Sequence, residues 1–232
     1  MGGRRRQRVD VLGVSFDRVD LAGATDVILR RLDSGQRTFV VTANPEFVML
    51  ARRDEEIARI AREADLVIAD GTGVVVGSRL LGDGLSRVAG RLGVSVYLLG
   101  ASLGVAERAA AALHRRVPSL RIAGTYAGSA DGESAARVSA AAPDVVFVAY
   151  GMPKQERWIE RHIRSLPTVK IAIGVGGVFD QLAGVQRVPP HVVHRLGLEW
   201  LWRLANDPAR WRRQRVLPMF AALVFRKRLL GR

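Results

Sequence analysis

Val145-Val-Phe-Val-Ala-Tyr-Gly-Met-Pro-Lys-Gln-Glu-Arg-Trp158 passes from an unbroken run of β-branched and aromatic residues, through glycine and proline, into charged helix-forming residues. Val169-Lys-Ile-Ala-Ile-Gly-Val-Gly-Gly-Val-Phe-Asp180 has the same order: an apolar run, then glycines, then polar residues. An apolar run bounded by glycines reads as a buried strand. Polar groups placed just beyond it stand at the carboxyl edge of a sheet, which is where open α/β sheets bind ligands. Two such edges, both able to grip a polar ligand, point to one binding cleft.

Outward from this pair the chain alternates. Strands are expected at Val9–Phe16, Thr38–Thr42, Leu66–Ala69, Val94–Leu99, Leu120–Ala123, Val145–Ala149 and Val169–Ile173. Helices are expected at Ala22–Leu32, Phe47–Ala64, Gly73–Leu81, Val105–Arg116, Glu133–Ala142 and Gln155–Leu166, with apolar residues at three-to-four spacing. Strands separated by helices imply βαβ units, hence an α/β fold with a mainly parallel, Rossmann-like sheet flanked by helices.

Composition bounds the partners. The 232 residues suit one large domain or one domain with an appendage, and 48% are hydrophobic, enough for a sizeable core. A net charge of +14, almost all from arginine, favours anionic partners such as phosphorylated metabolites, nucleic acid or an acidic membrane surface. The absence of cysteine removes disulfides and thiolate metal sites. No apolar run reaches the roughly 18 residues of a membrane span. Met1-Gly-Gly-Arg-Arg-Arg6 has no apolar stretch behind it of the kind a secretory signal carries, so a cytoplasmic chain is expected.

The composition shifts near Arg187. From there to Arg232 there are eleven Lys and Arg against two acids, Glu199 and Asp207, and three of the four tryptophans: Trp200, Trp202 and Trp211. Val216–Phe225 is apolar and ends in Arg226-Lys-Arg228. Residues 1–196 read as the α/β core and residues 197–232 as a basic, amphipathic helical appendage. Two explanations fit: docking on a membrane interface, or a helix pair packed on the core with a solvated basic face.

Several polar residues follow strands. Thr42-Ala-Asn44-Pro45 and Ile68-Ala-Asp70-Gly71 come after the second and third. A carboxylate at the mouth of a buried strand, as at Asp70, loses solvation and gains a pKa suited to a general base; it also suits a helix cap or an Asp-Gly turn. Asn44 fits a ligand contact or a pre-proline turn. Lys154, Gln155 and Glu156 open a helix whose first amides favour phosphate. Gly100-Ala-Ser-Leu-Gly104 lacks both the dinucleotide fingerprint and the Lys-Ser/Thr of a P-loop. The histidines at 114, 162, 191 and 194 show no zinc-like spacing.

Taken together, Thr42-Ala-Asn44, Ala69-Asp70-Gly71-Thr-Gly73, Arg87-Val-Ala-Gly90, Tyr97-Leu-Leu-Gly100, Gly151-Met-Pro-Lys-Gln-Glu156, Gly174-Val-Gly-Gly-Val-Phe-Asp180, Arg187-Val-Pro189 and Gly197-Leu-Glu-Trp-Leu-Trp-Arg203 resemble the WecG/TagA/CpsF glycosyltransferases in order and spacing. That resemblance implies an inverting, metal-independent transferase that needs no cofactor. It would move an N-acetylated hexosamine or related sugar from UDP to a sugar on undecaprenyl diphosphate, at the inner face of the cell membrane. It implies Asp70 as base, with Arg87 and Gln155 in the catalytic set. Thr42 and Asn44 would line the acceptor pocket, and Arg203, Arg210 and Arg213 would reach the diphosphate from the appendage. Gly100, Lys154, Gly176, Gly177 and Asp180 complete the expected substrate-binding set. The expected partners are the UDP-sugar, the polyprenyl-diphosphate-linked sugar and an anionic membrane surface; a homo-oligomer with the appendage over a neighbouring subunit is compatible.

One departure stands out: Arg87-Val-Ala-Gly90 runs almost directly into the strand at Val94, where the family pattern inserts a helix. A binding-only relative that keeps the cleft is therefore a second expectation. Nucleic-acid binding is disfavoured, because the arginines gather in the tail rather than along strands with interleaved aromatics.

Overall fold

The computed structural model describes residues 7–69, 93–186, 193, 199–206 and 211–229. In chain order these form β1 (Arg8–Val11), β2 (Val14–Asp17), α1 (Leu21–Asp33), β3 (Thr38–Ala43), α2 (Pro45–Ala51), α3 (Glu55–Glu63), β4 (Leu66–Ala69), β5 (Ser95–Gly100), α4 (Val105–Arg116), β6 (Arg121–Tyr126), α5 (Gly132–Ala141), β7 (Val145–Ala149), α6 (Lys154–His162), β8 (Ile171–Gly174), α7 (Val178–Leu182), α8 (Glu199–Asn206), α9 (Trp211–Gln214) and α10 (Leu217–Leu229).

Six strands make one sheet in the order β4-β3-β8-β7-β5-β6, and every pairing in it is parallel. The α/β expectation holds. Strands of this sheet alternate their side chains between two cores. Val40, Leu66, Ile68, Val96, Leu98, Phe147 and Ile173 face one, filled by Ala24 and Ile28 of α1 and by the alanines of α4. Phe39, Val41, Val67, Leu99, Val146 and Ala172 face the other, filled by Phe47, Ile57, Ile60, Trp158 and Ile159. Burial on both faces is why β7 is apolar throughout.

Two expected elements are each divided in two. The stretch 9–16 is not one strand but an antiparallel hairpin, β1 and β2, separate from the main sheet. Leu12 and Gly13 turn the chain with φ of 53° and 95°, and the Asp10 carboxylate accepts from the Gly13 amide at 3.1 Å. Two consecutive positive-φ residues are what a tight two-residue hairpin requires. The expected helix 47–64 breaks into α2 and α3 because Asp54 caps α3, accepting from the amides of Glu56 (3.0 Å) and Ile57 (3.3 Å). A local side-chain cap competes with continuation of the helix. The expected helix 73–81 lies outside the described residues.

Buried Asp17 joins the hairpin to the sheet edge. It accepts from the Val67 amide at 2.9 Å and from the Arg8 guanidinium at 3.2 Å. The edge strand β4 thus has an outward amide occupied, which blunts it against pairing with other chains. At the amino edge, Asp65 accepts from the Phe39 amide and from Arg31, and Asp144 accepts from the Ser95 amide, the Ser95 hydroxyl and Lys170.

At the opposite edge β5 and β7 close tightly. Gly100 has φ of 96°, and a Cβ there would sit 2.8 Å from the Ala149 carbonyl carbon. Gly100→Ala is therefore expected to destabilise by about 3 kcal/mol in chemical denaturation, through the clash and the strained φ. Gly132→Ala, with open space around it, should change stability by no more than about 0.5 kcal/mol. Equal effects of the two would contradict this packing.

Candidate functional site

Parallel registers bring the candidate groups to one edge. Ala43 is level with Ala69, Gly100 with Ala149, and Val148 with Gly174. The next residues of each strand therefore emerge side by side: Asn44 after β3, Ala101 after β5, Tyr150 and Gly151 after β7, and Val175 after β8.

Thr42 is half-buried, and its hydroxyl donates to the Gly174 carbonyl at 2.9 Å, tying β3 to β8. Asn44 caps α2, its side-chain oxygen accepting from the Phe47 amide at 2.8 Å with Pro45 in the first turn. Both residues thus have a structural task at the carboxyl edge of the sheet. Gly100 contributes backbone: the Ala101 amide donates to Ala149 at 3.0 Å, and a loop leads to α4, which starts at Gly104 without a side-chain cap.

A cis Met152–Pro153 bond leads into α6. Lys154 is exposed at its first position, and its side chain makes no hydrogen bond or ion pair with a described residue. Gln155 and Glu156 are the opposite: they are 3% and 0% exposed. The Gln155 side chain donates to Glu156 at 2.8 Å and accepts from the Gly176 amide at 3.1 Å. Gly176 turns the chain with φ of 51°, and Gly177 leads into α7, where Asp180 is half-buried. The structure thus brings Thr42, Gln155, Gly174 and Gly176 into contact, with Asn44, Gly100, Lys154, Gly177 and Asp180 on the same edge. Asp70, Arg87 and Arg210 lie outside the described residues. Arg203 and Arg213 fall in α8 and α9, but their side chains lie outside the described set.

Sequence reasoning missed a polar–aromatic cluster beside this edge. The Tyr150 hydroxyl donates to the Ser129 carbonyl at 2.9 Å. Trp158 donates through Nε1 to the Ser134 hydroxyl at 2.7 Å, and that hydroxyl donates to the Asp131 carbonyl at 2.6 Å. Arg137 lies 4.5 Å over the Tyr126 ring. Together these fix the loop from β6 to α5. A tyrosine immediately before Gly151, at the end of an apolar run, was the available signal. Burial pushes the Tyr150 phenol up to about 12.

The C-terminal helix α10 packs Phe220 and Leu223 on the hydrophobic cluster that holds α2, and Lys227 pairs with Asp10. Its other residues Met219, Phe225 and Leu229 are exposed, as is Trp211 of α9. No described helix is long and apolar enough to cross a membrane. Among the described residues no group of three or more His, Asp or Glu is gathered as metal ligands are.

An all-parallel α/β sheet with a polar, glycine-rich carboxyl edge belongs to the class of open α/β folds, whose ligands generally bind at that edge. The chain belongs to the WecG/TagA/CpsF family of glycosyl transferases, whose model matches residues 9–232. It is similar to two curated relatives, each an N-acetylglucosaminyldiphosphoundecaprenol N-acetyl-beta-D-mannosaminyltransferase. The relative from Bacillus spizizenii is 34% identical over 210 residues, covering 84% of this chain and 81% of that one. The relative from Staphylococcus aureus is 33% identical over 231 residues, covering 92% and 90%. This chain is thus a glycosyl transferase by family.

The Tyr150 environment gives a test of the cluster. Its folded pKa stands above the ordinary phenol value of 10.0, so its contribution to stability is complete below pH 10 and is lost as pH rises towards 12. Phenolate absorbance of the wild type against Tyr150→Phe should show one phenol titrating near 12. A difference that titrates near 10 would contradict the buried, Ser129-bonded position.

Proposed function

We propose that this chain transfers an N-acetylmannosamine-type sugar, or a related hexose, from UDP to N-acetylglucosamine carried on undecaprenyl diphosphate. The similarity to two mannosaminyltransferases over more than four-fifths of their length carries this reading. The polar carboxyl edge, where Lys154 is exposed, supports it. The product would enter teichoic acid or another cell-surface polysaccharide.

The chemistry is a single displacement with inversion. The acceptor hydroxyl oxygen bonds to the anomeric carbon as the bond from that carbon to the UDP oxygen breaks. The hydroxyl proton passes to the Asp70 carboxylate, and UDP leaves with the bonding pair. The negative charge that grows on the diphosphate is met by Arg87 and by Arg203, Arg210 and Arg213, whose planar forks pair phosphate oxygens two at a time. In this reading no metal takes part. Thr42 and Asn44 flank the acceptor, while Gln155 and the turn at Gly176 and Gly177 flank the donor.

The acceptor is lipid-linked, so the enzyme would work at a membrane surface. Exposed Trp211, Met219, Phe225 and Leu229, with Arg226, Lys227 and Arg228 in the last turn of α10, suit a peripheral dock on an anionic interface. A second reading, a relative that binds UDP-sugar without transferring it, is favoured by one observation. The pairing with the Staphylococcus aureus relative runs over 231 residues but covers 92% of this chain, so it passes over positions that this chain lacks.

A donor screen against a short-chain prenyl-diphosphate N-acetylglucosamine separates the two readings. UDP-N-acetylmannosamine is expected to release UDP with glycoside formed, and Asp70→Ala to lower kcat by about a hundredfold or more. UDP binding with no transfer from any donor supports the second reading. Vesicle sedimentation tests the dock: binding to phosphatidylglycerol vesicles should fall steeply with salt and with Trp211→Ser plus Phe225→Ser. Equal binding to neutral phosphatidylcholine vesicles would count against it.

A further inference from the structure

We infer that Glu156 is the positioning residue of the turn formed by residues 174–177, and that it acts through Gln155. Both side chains are polar and almost fully enclosed at the start of α6. Burying an amide and a carboxyl side by side is costly unless they are hydrogen-bonded, and the bonds they make to each other and to Gly176 run in one direction. The Gly176 amide can only donate, so the atom facing it at 3.1 Å must be the Gln155 oxygen. That choice turns the Gln155 nitrogen towards Glu156, whose oxygen accepts at 2.8 Å. A flipped amide would set nitrogen against the Gly176 N–H and oxygen against a carboxyl oxygen, losing both bonds.

The same amide lies flat on the end of β8. A Cβ at Gly174 would stand 2.6 Å from the Gln155 nitrogen and 2.9 Å from its amide carbon. Gly174 in turn gives its carbonyl to Thr42. One hydrogen-bonded line therefore runs at the carboxyl edge from Glu156 through Gln155 to Gly176, and abuts the Thr42–Gly174 tie from β3. The positive φ of Gly176 gives the turn its shape; the Gln155 oxygen holds its amide in place. Each end of its amide makes one bond within the fold, and at 3% exposure the side chain is enclosed, so Gln155 acts as a strut. Lys154, one residue earlier and exposed, is the α6 side chain left to meet a ligand.

The inference about the turn rests on geometry alone; its effect on donor binding rests on the proposed UDP-sugar reading. The test is a cycle of Glu156→Met, Gln155→Glu and the double swap Gln155→Glu with Glu156→Gln. Methionine removes the acceptor, and Gln155→Glu puts two carboxyls face to face. In the swap, Glu at 155 accepts from both the Gly176 amide and the Gln side chain at 156, so the line is rebuilt with its roles exchanged. The first readout is hydrogen exchange of the Gly176 amide by NMR in the full chain. Exchange should be slow in the wild type, faster by about tenfold or more in each single variant, and close to wild type in the swap.

The second readout is the Kd for UDP, which should weaken by about tenfold in the singles and recover to within about threefold in the swap. Fast Gly176 exchange in the wild type, or a swap no better than its singles, would overturn the inference. Recovered exchange without recovered UDP affinity would overturn the strut role and show that the Gln155 amide touches the ligand. A wild type that does not bind UDP at all would count against the proposed substrate, leaving exchange to decide the turn. Should Glu156→Met not fold, Gln155→Glu against the swap carries the same comparison.

Discussion

Parallel pairing of β3, β8, β7 and β5 is the constraint on which the candidate site depends. Each of these strands must end in the same direction, so every turn that follows them opens on one edge. The two edges are used differently. At the amino edge the acidic groups Asp65 and Asp144 are bound to strand amides and to Arg31 and Lys170. At the carboxyl edge the turns are glycine-rich, backbone approaches backbone, and Lys154 is left exposed to solvent. One edge is closed by its own charges, and the other is left able to take a ligand.

Polar groups are buried in this fold where they hold chain segments against each other. Asp17 holds the hairpin to Val67, Ser134 joins Trp158 to the loop before α5, and Gln155 holds Gly176. Each has its hydrogen bonds supplied by backbone or by a neighbour, which is what makes such burial tolerable. The Asp17–Val67 and Trp158–Ser134 bonds are buried beneath the apolar layers, and the Gln155–Gly176 bond is partly so. Bonds of this kind hold the turns at the sheet edge in fixed positions.

How far the sequence revealed this depends on the range of the interaction. β7 at Val145–Ala149 and α4 at Val105–Arg116 have the boundaries expected of them, because an unbroken β-branched run and an alanine-rich amphipathic stretch are local signals. The hairpin was hidden because Val9–Phe16 is largely apolar and reads as one strand, while the turn at Leu12 and Gly13 shows only in backbone torsion. The break between α2 and α3 was hidden because Asp54 reads equally well as one more helical charge. Strand order is a long-range property: no local pattern says that β8 sits between β3 and β7. For the site, the positions were legible and the tasks less so. Asn44 and Thr42 are at the edge as expected, yet their side chains bond to Phe47 and Gly174, contacts that only the folded chain displays. Tyr150 was overlooked because a tyrosine ending an apolar run looks like one more strand residue.

The central claim is that the ligand edge is the carboxyl edge of this sheet, at the ends of β3, β5, β7 and β8. Amide hydrogen–deuterium exchange of the full chain, with and without saturating UDP, measures it directly. Added UDP should slow exchange in residues 100–104, 150–155 and 174–177, and leave the amino-edge turns at residues 34–37, 117–120 and 166–170 unchanged. Protection confined to the amino-edge turns would contradict the account.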